Sequence, residues 1–305
     1  MNIISTIVPV FVIIFLGLYA KHRGFFTQDF LNQANRLVYY IAIPAMIFSA
    51  VSKASLKTEV HVSVILITLF VLMTVAAAAF GLTKALRMPR QSKGSFIQSS
   101  FHGNLGYIAF AVAFYYLGNK GFVKAAIIAG FVMIFQNILA VFVLQYHSRK
   151  NEESPAISNT LKKTMANPVI LSALAGIIFS FFNIPLPIII DRSLDILKGM
   201  GLPMALLIIG ASLSFQRLKA GFMNVLISTF IKLILAPAMG LLLFRLLLID
   251  PDHYLPAMIV LASPTATLTY IMAKEIGGDP DFAVAAISIC TLVSSITYGM
   301  WLSIG

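Results

Sequence analysis

The residues that could do chemistry in this chain lie in two short polar stretches inside otherwise apolar runs. One reads Ser99-Ser100-Phe101-His102-Gly103-Asn104-Leu105-Gly106-Tyr107, the other Leu261-Ala262-Ser263-Pro264-Thr265-Ala266-Thr267. Neither is catalytic in pattern. The chain has no zinc-type His/Glu pair, no nucleophile elbow and no phosphate-binding loop. Both stretches are poor helix. Asn104 and Ser263 are good N-caps, and Pro264 suits a first helical position. Each stretch therefore predicts a helix that stops and restarts at mid-membrane. A restart leaves unpaired N–H groups and the positive end of a helix dipole in low dielectric. Two such ends converging form an anion site. Unpaired backbone at that depth is tolerable only where it lines a cavity.

The candidate binding residues are accordingly Gly103, Asn104, Leu105, Gly106, Ser263, Pro264, Thr265 and Thr267. Gln136 and Asn137 join them, because an amide in hydrocarbon needs partners. Two ionisable residues sit deep in apolar runs. His102 could couple protons or touch an anion, or it could hydrogen-bond a freed carbonyl. Lys232 lies about 11 residues into its run, too deep for easy snorkelling, and calls for an anion, a partner or water. No Asp or Glu occupies the middle of a run, which weakens any mechanism based on a buried carboxylate. The single cysteine, Cys290, reads as a small buried apolar residue. No disulfide, metal or cofactor is expected.

These residues need elements to hold them. The chain has 305 residues, 59% hydrophobic and 11% charged, against about 25% charged in a soluble domain. Apolar runs long enough for a bilayer core recur throughout. Ten spans are predicted at 2–20, 31–52, 61–86, 94–117, 122–147, 167–182, 193–215, 221–248, 255–275 and 282–303. The first has no basic residue ahead of it and similar runs behind it, so it reads as a span and not a secretory signal. The net charge of +11 comes from Lys and Arg in short loops, which sets orientation and does not point to nucleic acid. Odd-numbered loops hold twice as many of these residues as even-numbered ones. The odd loops are then cytoplasmic, and both termini lie outside. Tyr39, Tyr40, Tyr254, Tyr298 and Trp301 near span ends read as interface anchors. Ser288, Thr291, Ser294, Ser295 and Thr297 read as interhelical glue.

An internal register relates the two halves. At an offset of 159 residues Pro9 meets Pro168, Gly17 meets Gly176, Pro44 meets Pro203, Gly81 meets Gly240 and Gly118 meets Gly277, with no gap. Asn104 falls on Ser263 and Leu105 on Pro264. Residues 1–148 and 166–305 form two five-span repeats, joined by a polar cytoplasmic loop at 149–165. Five is odd, so the second copy enters the membrane inverted. The expected fold is an all-α membrane protein of ten helices in two inverted repeats, with the fourth and ninth broken where they cross.

Several residues carry a family resemblance: Gly103-Asn104-Leu105-Gly106-Tyr107, Asn167-Pro168 opening span six, Leu202-Pro203 through Gly210-Ala211-Ser212-Leu213, and Leu261 through Ala266. With ten spans and a polar loop after the fifth, the whole chain resembles the auxin efflux carrier family, and the short loop is that of a prokaryotic member. The resemblance implies an architecture similar to the bile acid:sodium symporters. Spans one, two, six and seven would form a scaffold, and spans three to five and eight to ten a mobile transport domain. It implies export or exchange of small organic anions, auxin-like or dicarboxylate, by an elevator movement, in a homodimer. Plant carriers have proline at the span-four crossing where this chain has Asn104-Leu105-Gly106, and a carboxylate in span three that is missing here.

The expectation is a secondary carrier of a small organic anion in the inner, cytoplasmic membrane, with the lipid bilayer and a second copy as its other partners. An inside-negative potential contributes about 2.3 kcal/mol per charge per 100 mV toward anion export, so no coupled ion is required. The alternatives are a metabolite-binding membrane sensor or scaffold, and a sodium-coupled organic-anion symporter.

Overall fold

Apolar composition without β-branched alternation leads to helix, and the computed structural model describes helices throughout residues 3–54, 61–148, 162, 165–215 and 221–304. The elements are α1 (Ile3–His22), α2 (Gln28–Ser52), α3 (Val62–Ala85), α4 (Arg90–Phe101) and α5 (Leu105–His147). Then follow α6 (Pro168–Phe181), α7 (Ile188–Ser212), α8 (Phe222–Leu246), α9 (Pro251–Leu261), α10 (Leu268–Ile276) and α11 (Pro280–Ile304). Most of the polar connection expected at 149–165 lies outside the described residues.

Helix starts follow from local chemistry. Thr27 caps α2 by accepting from the Phe30 N–H at 3.2 Å. Asn167 caps α6 by accepting from the Val169 N–H at 2.9 Å, and Asp250 caps α9 from the Asp252 N–H at 2.8 Å. Each of those two caps is followed by a proline, Pro168 or Pro251, whose missing N–H costs nothing there.

The protein is a multi-pass membrane protein. Among the described residues seven segments are long and apolar enough to cross a bilayer: α1, α2, α3, α5, α7, α8 and α11. α6 is apolar but short, and α4, α9 and α10 are the fragments left by the two interruptions. α5 has 43 residues, about 65 Å at 1.5 Å per residue and twice the hydrocarbon thickness. It bends at Gly118, where φ is 67° and ψ −167°. Gly277, which ends α10, also has a positive φ, of 98°. Both values lie where only glycine is unstrained.

α1 packs closely along α7, and the second half of α2 packs along α6. Small residues permit the approach. A Cβ on Gly17 would fall 2.2 Å from the Leu207 carbonyl oxygen, and one on Gly210 would fall 1.8 Å from that of Ile14. A Cβ on Gly176 would lie 2.9 Å from Val51 Cβ. Around them α3, α4, α5 and α8 to α11 pack mainly on one another. Outward-facing Ile4, Val8, Phe15, Leu66 and Phe70 are exposed, as a hydrocarbon solvent allows.

Three of the five expected interface anchors, Tyr254, Tyr298 and Trp301, are corrected by burial, while Tyr40 is exposed. Tyr254 stacks on Phe244 with ring centroids 5.3 Å apart. The Tyr298 hydroxyl donates to the Ile259 carbonyl, and the Trp301 indole N–H to that of Leu233. All three are buried: Tyr298 and Trp301 brace neighbouring helices through carbonyls that meet their polar tips, and Tyr254 packs its ring on Phe244. Of the expected glue residues, Ser288 ties α11 to the segment just after α7: its hydroxyl donates to the Ser214 carbonyl and accepts from the Ser214 N–H, both at 3.0 Å. Ser294 and Ser295 bond back within α11.

Candidate functional site

The site is built where two helices stop. α4 ends at Phe101 and the chain resumes as helix at Leu105; α9 ends at Leu261 and resumes at Leu268. The two interruptions lie against each other. Gly103 and Thr265 form an antiparallel bridge. The Asn104 N–H donates to the Pro264 carbonyl at 2.7 Å, and the Ala266 N–H to the His102 carbonyl at 2.9 Å. Each stretch thus satisfies part of the other's backbone where no water would.

Side chains complete the accounting. Gln136 holds Gly103 from α5: its Oε1 accepts from the Gly103 N–H at 3.1 Å and its Nε2 donates to the Gly103 carbonyl at 3.3 Å. Thr265 Oγ1 donates to the Ser99 carbonyl at 2.9 Å, and the Thr265 N–H meets Cys290 Sγ at 3.3 Å. The last four carbonyls of α9 all have partners. Met258 accepts from the Ala262 N–H, Ile259 from the Tyr298 hydroxyl, Val260 from Ser263, and Leu261 from the Lys232 ammonium at 2.7 Å.

The downstream ends are open. Among the described residues nothing accepts from the backbone N–H of Gly106, Tyr107, Thr267 or Leu268. All four border one cavity of about 400 Å³. Its floor is His102, Gly103, Asn104 and Leu105; Met133, Gln136, Asn137, Ala266 and Ile271 form its sides. Asn35, Arg36, Tyr39 and Tyr40 of α2, with Asn167 and Val169 at the start of α6, close it from the other body of helices. The Tyr107 hydroxyl donates to Asn35 Oδ1 at 2.6 Å across that boundary.

Two amides on the wall have unsatisfied atoms. Among the described residues the Nδ2 of Asn104, which is 6% exposed, has no partner, and neither has the Oδ1 of Asn137, which is 8% exposed. A buried amide without a partner costs about 1–3 kcal/mol. The free Nδ2 donor of Asn104 beside open helix starts is an arrangement that a bound anion would complete, with Arg36 supplying positive charge at the mouth; the free Oδ1 of Asn137 is an acceptor and calls for an N–H or O–H donor instead.

The placement sorts the candidates. His102, Gly103, Asn104, Leu105, Gly106, Gln136, Asn137 and Thr267 border the cavity. Ser263, Pro264, Thr265 and Lys232 are not on its wall; they lie behind the bridge and serve backbone groups. The expected restart at Pro264 is corrected to Leu268, with Thr267 as the cap position. Ser263 instead closes the preceding helix, since its hydroxyl reaches the Val260 carbonyl at 2.7 Å. His102 is buried, with its Nδ1 3.4 Å from Gln98 Nε2. Arg36 and Met133 were not singled out in the sequence, and Tyr39 and Tyr40, read there as interface anchors, also border the cavity. The one local signal was a five-residue π turn at Val38–Ala42, which is invisible before the structure.

A second cavity of about 470 Å³ lies at the other ends of these helices, between Met46 to Ala54 of α2, Phe114 to Val123 of α5, and Lys198 of α7. Lys53, Lys120 and Lys198 border it. Lys53 pairs with Asp191, and Lys198 with Asp195 at 2.6 Å.

Comparison with known proteins agrees with a membrane carrier. The family described as membrane transport protein matches residues 2–302. The chain is similar to a putative malonate transporter of Rhizobium meliloti, with 26% identity over 97% of this chain and 93% of that protein. It is similar to an uncharacterized transporter of Methanocaldococcus jannaschii, at 24% identity over 97% of each chain. An uncharacterized transporter of Escherichia coli K12 shares 21% identity over 98% of this chain and 96% of its own length.

Proposed function

The chain belongs to the membrane transport protein family, the group the auxin efflux carrier resemblance pointed to, and from that premise we propose that it is a secondary carrier of a small organic anion. The family is one of transporters, so the chain works by moving a solute and not as an enzyme. The observation that carries the anion reading is the cavity at the paired interruptions. Open N–H groups of Gly106, Tyr107, Thr267 and Leu268 border it, together with the unsatisfied Nδ2 of Asn104. Helix starts and amide donors select negative charge. The remaining wall is mainly apolar, so a carboxylate on a small body is the fitting cargo. The malonate named for the Rhizobium meliloti relative is of that class.

The mechanism follows as part of the same proposal. Ten passes arise when α4 with the start of α5, the rest of α5 beyond Gly118, and α9 with α10 are each counted as one crossing. Two inverted repeats are supported by equivalent packing between the halves: Gly17 against Leu207 corresponds, at the 159-residue offset, to Gly176 against Val51 within one helical turn. The glycines at 118 and 277, both with positive φ, are a further matching pair. α1, α2, α6 and α7 act as the scaffold, through which two copies pair, and the remaining helices move across it. The first cavity opens toward the cytoplasmic ends of α2 and α6, and the lysine-bordered cavity marks the outer side. The Tyr107–Asn35 hydrogen bond holds the inward position and breaks when the moving body slides. The setting is the inner membrane, with both termini outside.

The test is binding. Purified protein in detergent, screened by thermal shift against acetate, malonate, succinate, benzoate and matched amides, is expected to be stabilised by carboxylates. A ligand present at a hundred times its dissociation constant adds about 2.7 kcal/mol. Stabilisation by amides equal to that by carboxylates would remove the anion reading.

A further inference from the structure

Lys232 has no place on the cavity wall, and no carboxylate pairs with it among the described residues. It is 1% exposed, and its ammonium donates to the Leu261 carbonyl at 2.7 Å. That carbonyl ends α9, where the helix dipole is negative. The other three carbonyls of the same helix end are taken by neutral donors: the Ala262 N–H, the Tyr298 hydroxyl and Ser263. Lys232 stands on a π turn, Ile231–Leu235, and the carbonyl of Leu233 in that turn accepts from Trp301 at 2.7 Å. A π turn inside a helix shifts its side chains around the axis and recurs at functional positions. Here the helix is distorted and braced around the residue that carries the charge.

The ammonium stem also lies directly behind the site. A Cβ on Gly103 would fall 3.5 Å from Lys232 Cε, while Gln136 holds the Gly103 peptide groups from α5. The arrangement has no counterpart in the other half. At the 159-residue offset Leu261 corresponds to His102, whose carbonyl is taken by the Ala266 N–H, and Lys232 corresponds to Met73, which is exposed.

We propose that the Lys232 ammonium is the resident cation of the paired interruptions. It is a positioning residue that closes the negative end of α9 and occupies the place an exchangeable cation would otherwise take. The carrier cycle, on the reading given above, therefore runs without sodium. The positive charge travels with the site and faces the bound anion across one layer of backbone without touching it.

Chemical rescue tests this without knowledge of the cargo. The full-length protein, Lys232→Ala, Lys232→Met and Lys232→Arg are compared by thermal unfolding in choline chloride. Ala and Met are expected to lower the melting temperature by about 5 °C or more, and Arg by less. Millimolar propylammonium, which replaces the deleted atoms, is expected to restore the Ala variant and leave the wild type unmoved; propanol, its neutral counterpart, should not. A Met variant as stable as wild type overturns the proposal, and this holds even if the Ala variant fails to fold. Equal rescue by propanol overturns it too, since space and not charge would then be the need. Malonate flux by the wild type in proteoliposomes is expected to be the same in sodium and in choline, and a sodium requirement overturns the proposal. No flux of any carboxylate, with rescue intact, sinks the carrier reading and leaves the resident cation standing.

Discussion

Replacing Gln136 by leucine is expected to cost about 2–6 kcal/mol of stability, the largest loss for any single side chain near the site. Its amide meets both the N–H and the carbonyl of Gly103, at 3.1 and 3.3 Å. Gln136 is 3% exposed, so nothing replaces it when it is removed. Two buried backbone groups lose their partners, at about 1–3 kcal/mol each. The neighbouring bridge between Gly103 and Thr265 then loses its brace on one side. Leucine fills similar volume, so the loss reports hydrogen bonds and not a cavity. Thermal or denaturant unfolding of the detergent-solubilised variant reads it. A variant as stable as wild type would mean that the pairing contributes nothing.

Asn104→Ala should do the opposite: leave stability near the wild-type level and remove binding. The Asn104 side chain makes no hydrogen bond to the described residues, and its Nδ2 is unsatisfied among them, so truncation breaks no hydrogen bond there. Toward an anion the amide offers a charge-assisted hydrogen bond, worth about 1.5–3 kcal/mol. At 1.4 kcal/mol per factor of ten, carboxylate affinity falls about 10- to 100-fold. Calorimetric titration with whichever carboxylate the screen selects reads this change. The contrast between the two variants separates holding the site together from using it: Gln136 braces the backbone, and Asn104 is left free by it.

The comparison of sequence with structure follows the same division. Gly103, Asn104 and Pro264 marked the interruptions in advance, because their types are poor in helix and their surroundings are apolar. The offset between the halves brought Asn104 opposite the Ser263–Pro264 pair, and the Asn104 N–H does bond to Pro264. Three features were not legible. Ser263 reads as a helix start, yet it closes the helix before it, since a serine hydroxyl serves either end and only the backbone path decides. Gln136 lies 33 residues from Gly103, and no local pattern announces their pairing. Lys232 was legible as a buried charge, but its partner is a backbone carbonyl, which every residue has and no sequence distinguishes. Tyr298 and Trp301 misled for the same reason: near a span end they look like interface residues, and the carbonyls of Ile259 and Leu233 draw them inward.

Lys53, Lys120 and Lys198 border the second cavity together, and Asp191 and Asp195 pair with the first and the last of them.

The central claim is that the cavity at the paired interruptions carries a carboxylate across the membrane. The most direct measurement is counterflow of labelled malonate into proteoliposomes preloaded with unlabelled malonate, for wild type and Asn104→Ala reconstituted side by side. The account predicts accumulation of label by the wild type, and about a 10-fold or greater loss in the variant at subsaturating malonate. Equal counterflow by both proteins, or binding of carboxylate by the wild type with no counterflow of any bound acid, would contradict it.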